Sequence, residues 1–321
     1  MYAVGRGLHY DAYLSNLAVE TFNTNQDYIG GSIFPVVPVA KMSDRYHVIE
    51  TEDFLRELEH RRAPRTAANA VDWKYSSDAY ICENYALQHK IALEDISNHD
   101  EQLRLRETGV RLLSSLLGLG EEIRIASTVT SAANNGGSFS ATGVNSVQKW
   151  SVATADIIGQ VNTAHANIRA KTGLVANTMV VDWDTWTNLK RNVGILSLYN
   201  SSNNGLLNDQ QIRDTLRVEN IYVGKAVKNV SAAGQPVASM TNVWGHNCWL
   251  GYVNPTVTGL RVLTYGLRMR WSPSTFPAPM AVQVSRDDGA GSTHTEIMEA
   301  GYYQAEKVIG KNFGYLISNT L

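Results

Sequence analysis

Only a few residues have the type and spacing needed for chemistry. Asp182 and Asp184 bracket Trp183 and could form a catalytic carboxylate pair. The same pattern is typical of a strand end followed by a helix N-cap at Asp184, and we favour this structural interpretation. Cys248 lies in an apolar segment between two tryptophans, so it is predicted to be buried and inert rather than nucleophilic. Asp287-Asp288-Gly289 is most simply a turn.

Motifs that would define an enzyme are missing from the sequence. It contains no P-loop, no GxGxxG fingerprint, no HExxH and no GxSxG. The eight histidines are scattered singly rather than at metal-ligand spacing: His9, His47, His60, His89, His99, His165, His246 and His294. The sequence therefore predicts no enzyme, no catalytic residue, no cofactor and no metal site.

Composition and charge argue against further classes of protein. The chain has 321 residues, of which 44% are hydrophobic, and a net charge of −2. It can bury a substantial core, and its charge gives no sign of a nucleic-acid or membrane partner. The longest apolar run, 33–40, is far too short to span a bilayer, and we expect no secretory signal. Two cysteines give no disulfide framework and suit a reducing compartment.

Charge is concentrated in one part of the chain. Residues 41–70 hold six basic and six acidic side chains, which is typical of a solvated or contacting surface. The flanking segments 45–58 and 80–93 have strand character, so we predict a long hairpin with a charged, irregular tip. The hairpin has too few apolar residues to bury itself and must lie on something outside itself.

The rest of the chain is predicted to form a long helix, a compact α/β unit, C-terminal strands and an N-terminal arm. Apolar residues at spacings of three and four predict a long helix over about 98–129. Alternating elements over 150–254 predict a compact α/β unit, with a helix at about 154–171 closed by Gly173, a strand at 178–182 and a helix near 209–216. Strands are predicted again over 260–270 and 294–318. The first 32 residues are polar and turn-rich and are predicted to form an extended arm, followed at 33–39 by an edge segment with two prolines. An extended arm and an unsupported hairpin indicate a subunit of a large homo-assembly.

This order of elements resembles the major capsid proteins of tailed bacteriophages, which have the HK97-type fold. The resemblance is carried by the proline-containing stretch at 33–39, the hairpin at 54–87 and the helix at 103–130. It implies an α+β capsid fold with an N-arm, an extended hairpin called the E-loop, a long spine helix, a P-domain and an A-domain. The implied boundaries are 1–40 for the N-arm, 41–95 for the E-loop, 96–148 with 255–321 for the P-domain, and 149–254 for the A-domain.

The resemblance also implies a function and partners. Copies of the chain would form hexamers and pentamers of an icosahedral virion shell, assembled in the bacterial cytoplasm around double-stranded DNA. A separate scaffolding protein and a portal are expected, a decoration protein is allowed, and no membrane is involved. The near-neutral charge predicts weak, nonspecific contact with the DNA.

Candidate contacts between subunits follow from the charges. Arginines of the hairpin are expected to pair with carboxylates at the start of the spine helix in a neighbouring copy, because the guanidinium group can bind a carboxylate at two points. The candidates are Arg56, Arg61, Arg62 and Arg65 on the hairpin, and Glu94, Asp95, Asp100 and Glu101 near the helix. Some family members cross-link a lysine to an asparagine. Lys74 is the candidate here, although a solvated charge is the simpler interpretation.

Three other hypotheses remain open from sequence alone. An encapsulin-like bacterial compartment shares the fold but encloses an enzyme. An oligomeric enzyme could use the 149–254 unit, although the expected motifs are missing from it. A tail-tube subunit would be mainly β-structure and would not need the long helix.

Overall fold

The computed structural model describes most of the chain. The residues described are 9–24, 28–48, 55–58, 61–62, 64–71, 76–98, 102–142, 147–199, 208–231, 239–257, 259–273, 280–287 and 295–321. Within these ranges no helix has the length and apolar character needed to cross a membrane.

The helices of these ranges are α1 (Ala12–Thr24), α2 (Gly30–Ile33), α3 (Leu93–Asn98), α4 (Gln102–Val129), α5 (Ile157–Thr172), α6 (Trp183–Leu189), α7 (Val193–Tyr199) and α8 (Asp209–Leu216). The strands are β1 (His9–Tyr10), β2 (Val36–Val39), β3 (Ser43–Val48), β4 (Ser76–Ile81), β5 (Glu83–Ala92), β6 (Gly137–Ser140), β7 (Thr178–Asp182), β8 (Asn220–Gly224), β9 (Val227–Asn229), β10 (Met240–Asn242), β11 (Asn247–Gly251), β12 (Gly266–Trp271), β13 (Ala281–Asp287), β14 (Thr295–Val308) and β15 (Gly314–Ser318).

The long strand β14 organises the larger sheet. One of its edges pairs with β5, and the other pairs first with β13 and then with β12. The spine helix α4 packs across this sheet and buries Val110, Leu113 and Leu117 against it. β2 lies at the sheet edge in parallel pairing with β12, as the two prolines of segment 33–39 predicted. The predicted spine helix is confirmed, with a start at Gln102.

A second sheet has the strand order β6-β15-β11-β7-β8. Helix α5 covers it, capped at its start by Asp156 and ended by Gly173 at φ 72°, a left-handed conformation that glycine adopts without strain. The predicted helix, the strand at 178–182 and the helix at 209–216 are confirmed. β6 and the C-terminal strand β15 lie outside the predicted 149–254 segment, yet they pair into this sheet. The sheet is therefore assembled from three separate parts of the chain.

Two predictions about the first half of the chain are wrong. The first 24 residues are not wholly extended, because α1 packs on the spine helix and buries Leu14 and Ala18 there. The spacing of Leu14, Leu17 and Ala18 is helical and was the missed signal. The second hairpin arm is also different. β3 pairs with β4, whereas β5, which dominated the predicted arm, belongs to the larger sheet.

Candidate functional site

The hairpin β3–β4 is anchored at its base and exposed beyond it. At the base, Tyr46 and Tyr80 are buried with Cys82 against Met269 of the larger sheet. In the loop between the two strands, every described residue of 55–58, 61–62 and 64–71 is exposed except the half-buried Leu58. The base therefore fixes the direction of the hairpin while its loop presents side chains to the outside.

The four arginines predicted for this loop are all exposed. Arg62 donates a hydrogen bond to the Thr66 carbonyl, and Arg65 has φ 67°. Leu55 remains 57% exposed although it reaches the turn at Gly173 of the same chain. The loop thus offers cationic groups together with the exposed apolar residues Leu55 and Val71.

The predicted acidic partners lie partly within the described structure. Glu94 and Asp95 are exposed on α3, immediately before the spine helix. Asp100, Glu101 and the cross-linking candidate Lys74 fall outside the described residues. Asp95 also lines a cavity of about 570 Å³ between β5 and α4, together with Ile91, Leu105 and Leu112. This side of the spine helix therefore combines carboxylates with an apolar concavity.

Sequence reasoning missed a set of buried charges along the spine helix. Glu121 is 4% exposed and accepts a hydrogen bond from Arg268, whose Nε also donates to the Phe34 carbonyl at 2.6 Å. Arg124 donates to Glu306 at 2.9 Å, and Arg106 binds Glu296 at 2.7 Å. The partners of these helix residues all lie on β12 or β14. These ion pairs fix the helix to the larger sheet.

Glu122 joins three parts of the chain. Its carboxylate accepts hydrogen bonds from the backbone N–H groups of Ile29 and Gly30, at 3.1 and 2.8 Å, and from Trp244 Nε1 at 2.7 Å. Burial raises the pKa of Glu122, the neighbouring Glu121 charge adds to this, and the three hydrogen bonds partly offset it. The N-terminal segment, the spine helix and the loop before β11 therefore meet at one carboxylate.

Glu122 should make stability depend on pH. Because its pKa is higher in the folded than in the unfolded chain, its contribution is fully present below the unfolded value of about 4.5 and decreases as pH rises through the folded value. We expect the difference in free energy of unfolding, wild type minus Glu122→Gln, to fall as pH rises from 4 to 8. Urea titrations of both proteins across this range measure it, and a difference that rises with pH would contradict the assignment.

The remaining chemical candidates have structural roles. The strand ends at Asp182 as predicted, but Asp182 rather than Asp184 is the N-cap of α6, and its side chain accepts a hydrogen bond from the Asp184 backbone N–H. Cys248 is buried as predicted, and its burial raises the pKa of the thiol well above the usual value. Asp288 and Gly289 lie outside the described residues.

The curated relatives of this chain are phage proteins, and solved structures with a similar fold include phage capsid subunits. No protein-family model matches the chain. The major capsid protein of Burkholderia phage BcepMu is 26% identical over 320 residues, 96% of this chain and 95% of the relative. A phage-related protein from Bordetella bronchiseptica RB50 has a similar structure, with a TM-score of 0.73, 19% identity and coverage of 98% of both chains. The capsid of Cyanophage P-SCSP1u gives a TM-score of 0.56 at 11% identity, over 89% of this chain and 86% of that one.

The two kinds of similarity agree over nearly the whole chain. The solved structures share the overall fold across nearly the whole chain, and the curated relative is named a major capsid protein. These matches give the chain a structural role and give no support to the enzyme hypothesis. The chain is therefore similar over nearly its whole length to the major capsid proteins of phages, and its fold is the HK97-type fold of phage capsid subunits.

Proposed function

We propose that copies of this chain assemble through their hairpins into the icosahedral head shell that encloses the double-stranded DNA of the phage. The observation that carries the assembly route is the exposure of the hairpin loop: its described residues bury almost nothing in their own chain. A hairpin of this length is marginal without external packing. A neighbouring copy is the partner always present at high local concentration in a shell.

We propose that the loop binds to a neighbouring copy at α3, the acidic helix immediately before the spine helix. Glu94 and Asp95 are exposed there, and Asp95 lines the cavity together with Leu105 and Leu112. The loop carries matching chemistry, with exposed arginines beside the exposed Leu55. A single exposed ion pair contributes about 0.2–1 kcal/mol, so individual contacts stay reversible during assembly while their sum over a shell is large.

Charge reversal tests this contact. We expect Arg62→Glu with Arg65→Glu to reduce the fraction of chain in shells strongly, and Glu94→Lys with Asp95→Lys to do the same, because each places like charges across the interface. Combining all four reversals should restore most assembly. The fraction in shells is measured by gradient sedimentation and counted by negative-stain microscopy.

Arg191→Glu is the matched control, because Arg191 is an exposed arginine on the other sheet unit. It should assemble like the wild type. If the fourfold reversal assembles no better than either pair, the proposed partner surface is wrong, although the capsid function would stand.

The broader function is tested on particles made with the neighbouring genes co-expressed, since a separate scaffolding protein and a portal are part of the proposal. Shells of uniform diameter that contain DNA are expected. Uniform shells that contain an enzyme instead would favour the encapsulin-like alternative. Small discrete oligomers under the same conditions would contradict both. The near-neutral charge supports weak contact with the DNA, so packaged DNA should move freely along the inner wall.

A further inference from the structure

Three side chains with metal-binding chemistry meet at the carboxyl end of β7. Asp182 ends the strand, Asp184 lies in the first turn of α6, and His246 comes from the loop before β11. One ligand atom from each residue lies within 4.8 Å of the other two. Asp182 is buried, whereas Asp184 and His246 are exposed. The cluster therefore opens toward the surface from a buried carboxylate.

The Asp182 carboxylate is incompletely satisfied. Its side chain is 0% exposed, and its Oδ2 faces the cluster, where His246 Nδ1 lies 3.5 Å away. Oδ2 also accepts hydrogen bonds from the Asp184 N–H and from Asn242 Nδ2, both at 3.2 Å. The other oxygen, Oδ1, is buried with no hydrogen-bond partner among the described residues. The hydrogen bond that caps α6 uses only Oδ2. Oδ1 is left without a partner in the described part of the chain, and burying a carboxylate oxygen without a hydrogen bond costs free energy.

The donors and charges of the cluster fit a cation. Asn242 donates to Asp182 and also to Asp184 Oδ2 at 2.9 Å, so a neutral amide holds two carboxylates together. Within the described residues, the one ion-pair partner found for Asp182 is His246, which is charged only when protonated. In its neutral form, His246 offers a nitrogen lone pair instead.

We propose that Asp182, Asp184 and His246 bind a divalent transition-metal ion of the Zn²⁺ type. Carboxylate oxygen and imidazole nitrogen are zinc ligands at about 2.0–2.2 Å, so binding would draw together three ligand atoms that lie within 4.8 Å of one another here. Three protein ligands leave a fourth position for water or for a group from another copy.

Such an ion would stabilise the packing of the C-terminal segment against the second sheet. The His246 carbonyl accepts a hydrogen bond from the Thr320 N–H at 2.9 Å, and the Thr320 and Thr185 hydroxyls lie 2.8 Å apart. A metal at the cluster would tie β7 and α6 directly to the loop that holds this C-terminal segment. The ion is therefore expected to stabilise the folded chain rather than to catalyse a reaction.

Zinc binding to the chelator-treated full-length chain tests this proposal. Asp184→Asn and His246→Gln change the two exposed ligands and leave the buried N-cap intact, so both variants should fold. The wild type is expected to bind one more Zn²⁺ per chain than either variant in calorimetric titration, and Zn²⁺ should raise its Tm but not theirs. Glu219→Gln, which removes an exposed carboxylate from the same unit, should behave like the wild type.

Equal zinc stoichiometry in the wild type and both variants would overturn the site, as would failure of the wild type to bind Zn²⁺. Neither result bears on shell assembly, because the titration needs no assembled particle.

Discussion

Replacing Arg268 by methionine is expected to lower the free energy of unfolding by about 3–5 kcal/mol, the usual cost of removing one partner from a buried ion pair. Methionine keeps much of the side-chain length but leaves the Glu121 carboxylate charged and buried. Arg270 remains an ion-pair partner of Glu121 at 3.8 Å, but this distance is beyond hydrogen-bond reach, so it does not replace the lost donor. The Phe34 carbonyl also loses its 2.6 Å donor, so the N-terminal segment loosens with the spine helix.

Urea denaturation of the purified chain measures this loss. Adding Glu121→Gln to Arg268→Met should recover part of it, since the double variant no longer buries a carboxylate that has lost its main partner. Arg191→Met removes an exposed arginine and should change stability by less than about 0.5 kcal/mol. An Arg268→Met protein as stable as the wild type would show that the Glu121 pair does not hold the helix to the sheet.

Local sequence patterns were sufficient for elements whose burial is periodic. The spine helix, α5 and β7 were predicted close to their observed bounds, because each has an apolar face or run and a clear end signal such as Gly173. The pairing of β3 with β4 could not be predicted in the same way. No tight turn joins these strands, and β5 has the longer strand pattern. Its partner β14 lies near the other end of the chain.

The candidate site was also predictable only where local sequence determines it. Exposed charge in the hairpin loop was predictable from composition, because a dense mixed-sign segment cannot be buried. The buried pairs were not, since Glu121 and Arg268 are brought together only by the packing of α4 on β12. Charged residues within a helix are usually exposed, so adjacent Glu121 and Glu122 gave no sign of burial. The Asp182 cluster was equally hidden, because His246 is far from the two aspartates in sequence.

Truncating Trp249 to alanine is the second change with a large expected effect, about 3–5 kcal/mol of unfolding free energy, as for other fully buried tryptophans. Trp249 lies on β11, between β15 and β7, and is 1% exposed. Its ring centroid is 4.7 Å from that of Tyr265, and its Nε1 donates to Asn135 Oδ1 at 2.8 Å. Truncation would leave a cavity where the second sheet meets the spine helix, and an amide oxygen without its donor.

Two further variants separate these causes in urea denaturation. Trp249→Phe fills most of the volume but removes the hydrogen bond, so it should cost about 1–3 kcal/mol, the range for an unsatisfied buried polar group. Trp183→Ala removes a tryptophan that is 50% exposed beside Lys225, and it should cost about 1 kcal/mol or less. If Trp249→Ala lowered the free energy of unfolding no more than Trp183→Ala does, the junction between the two sheets would not depend on the Trp249 ring. Shells built from the Trp249→Ala chain should also disrupt at lower temperature than wild-type shells, because every subunit carries the same weakened junction.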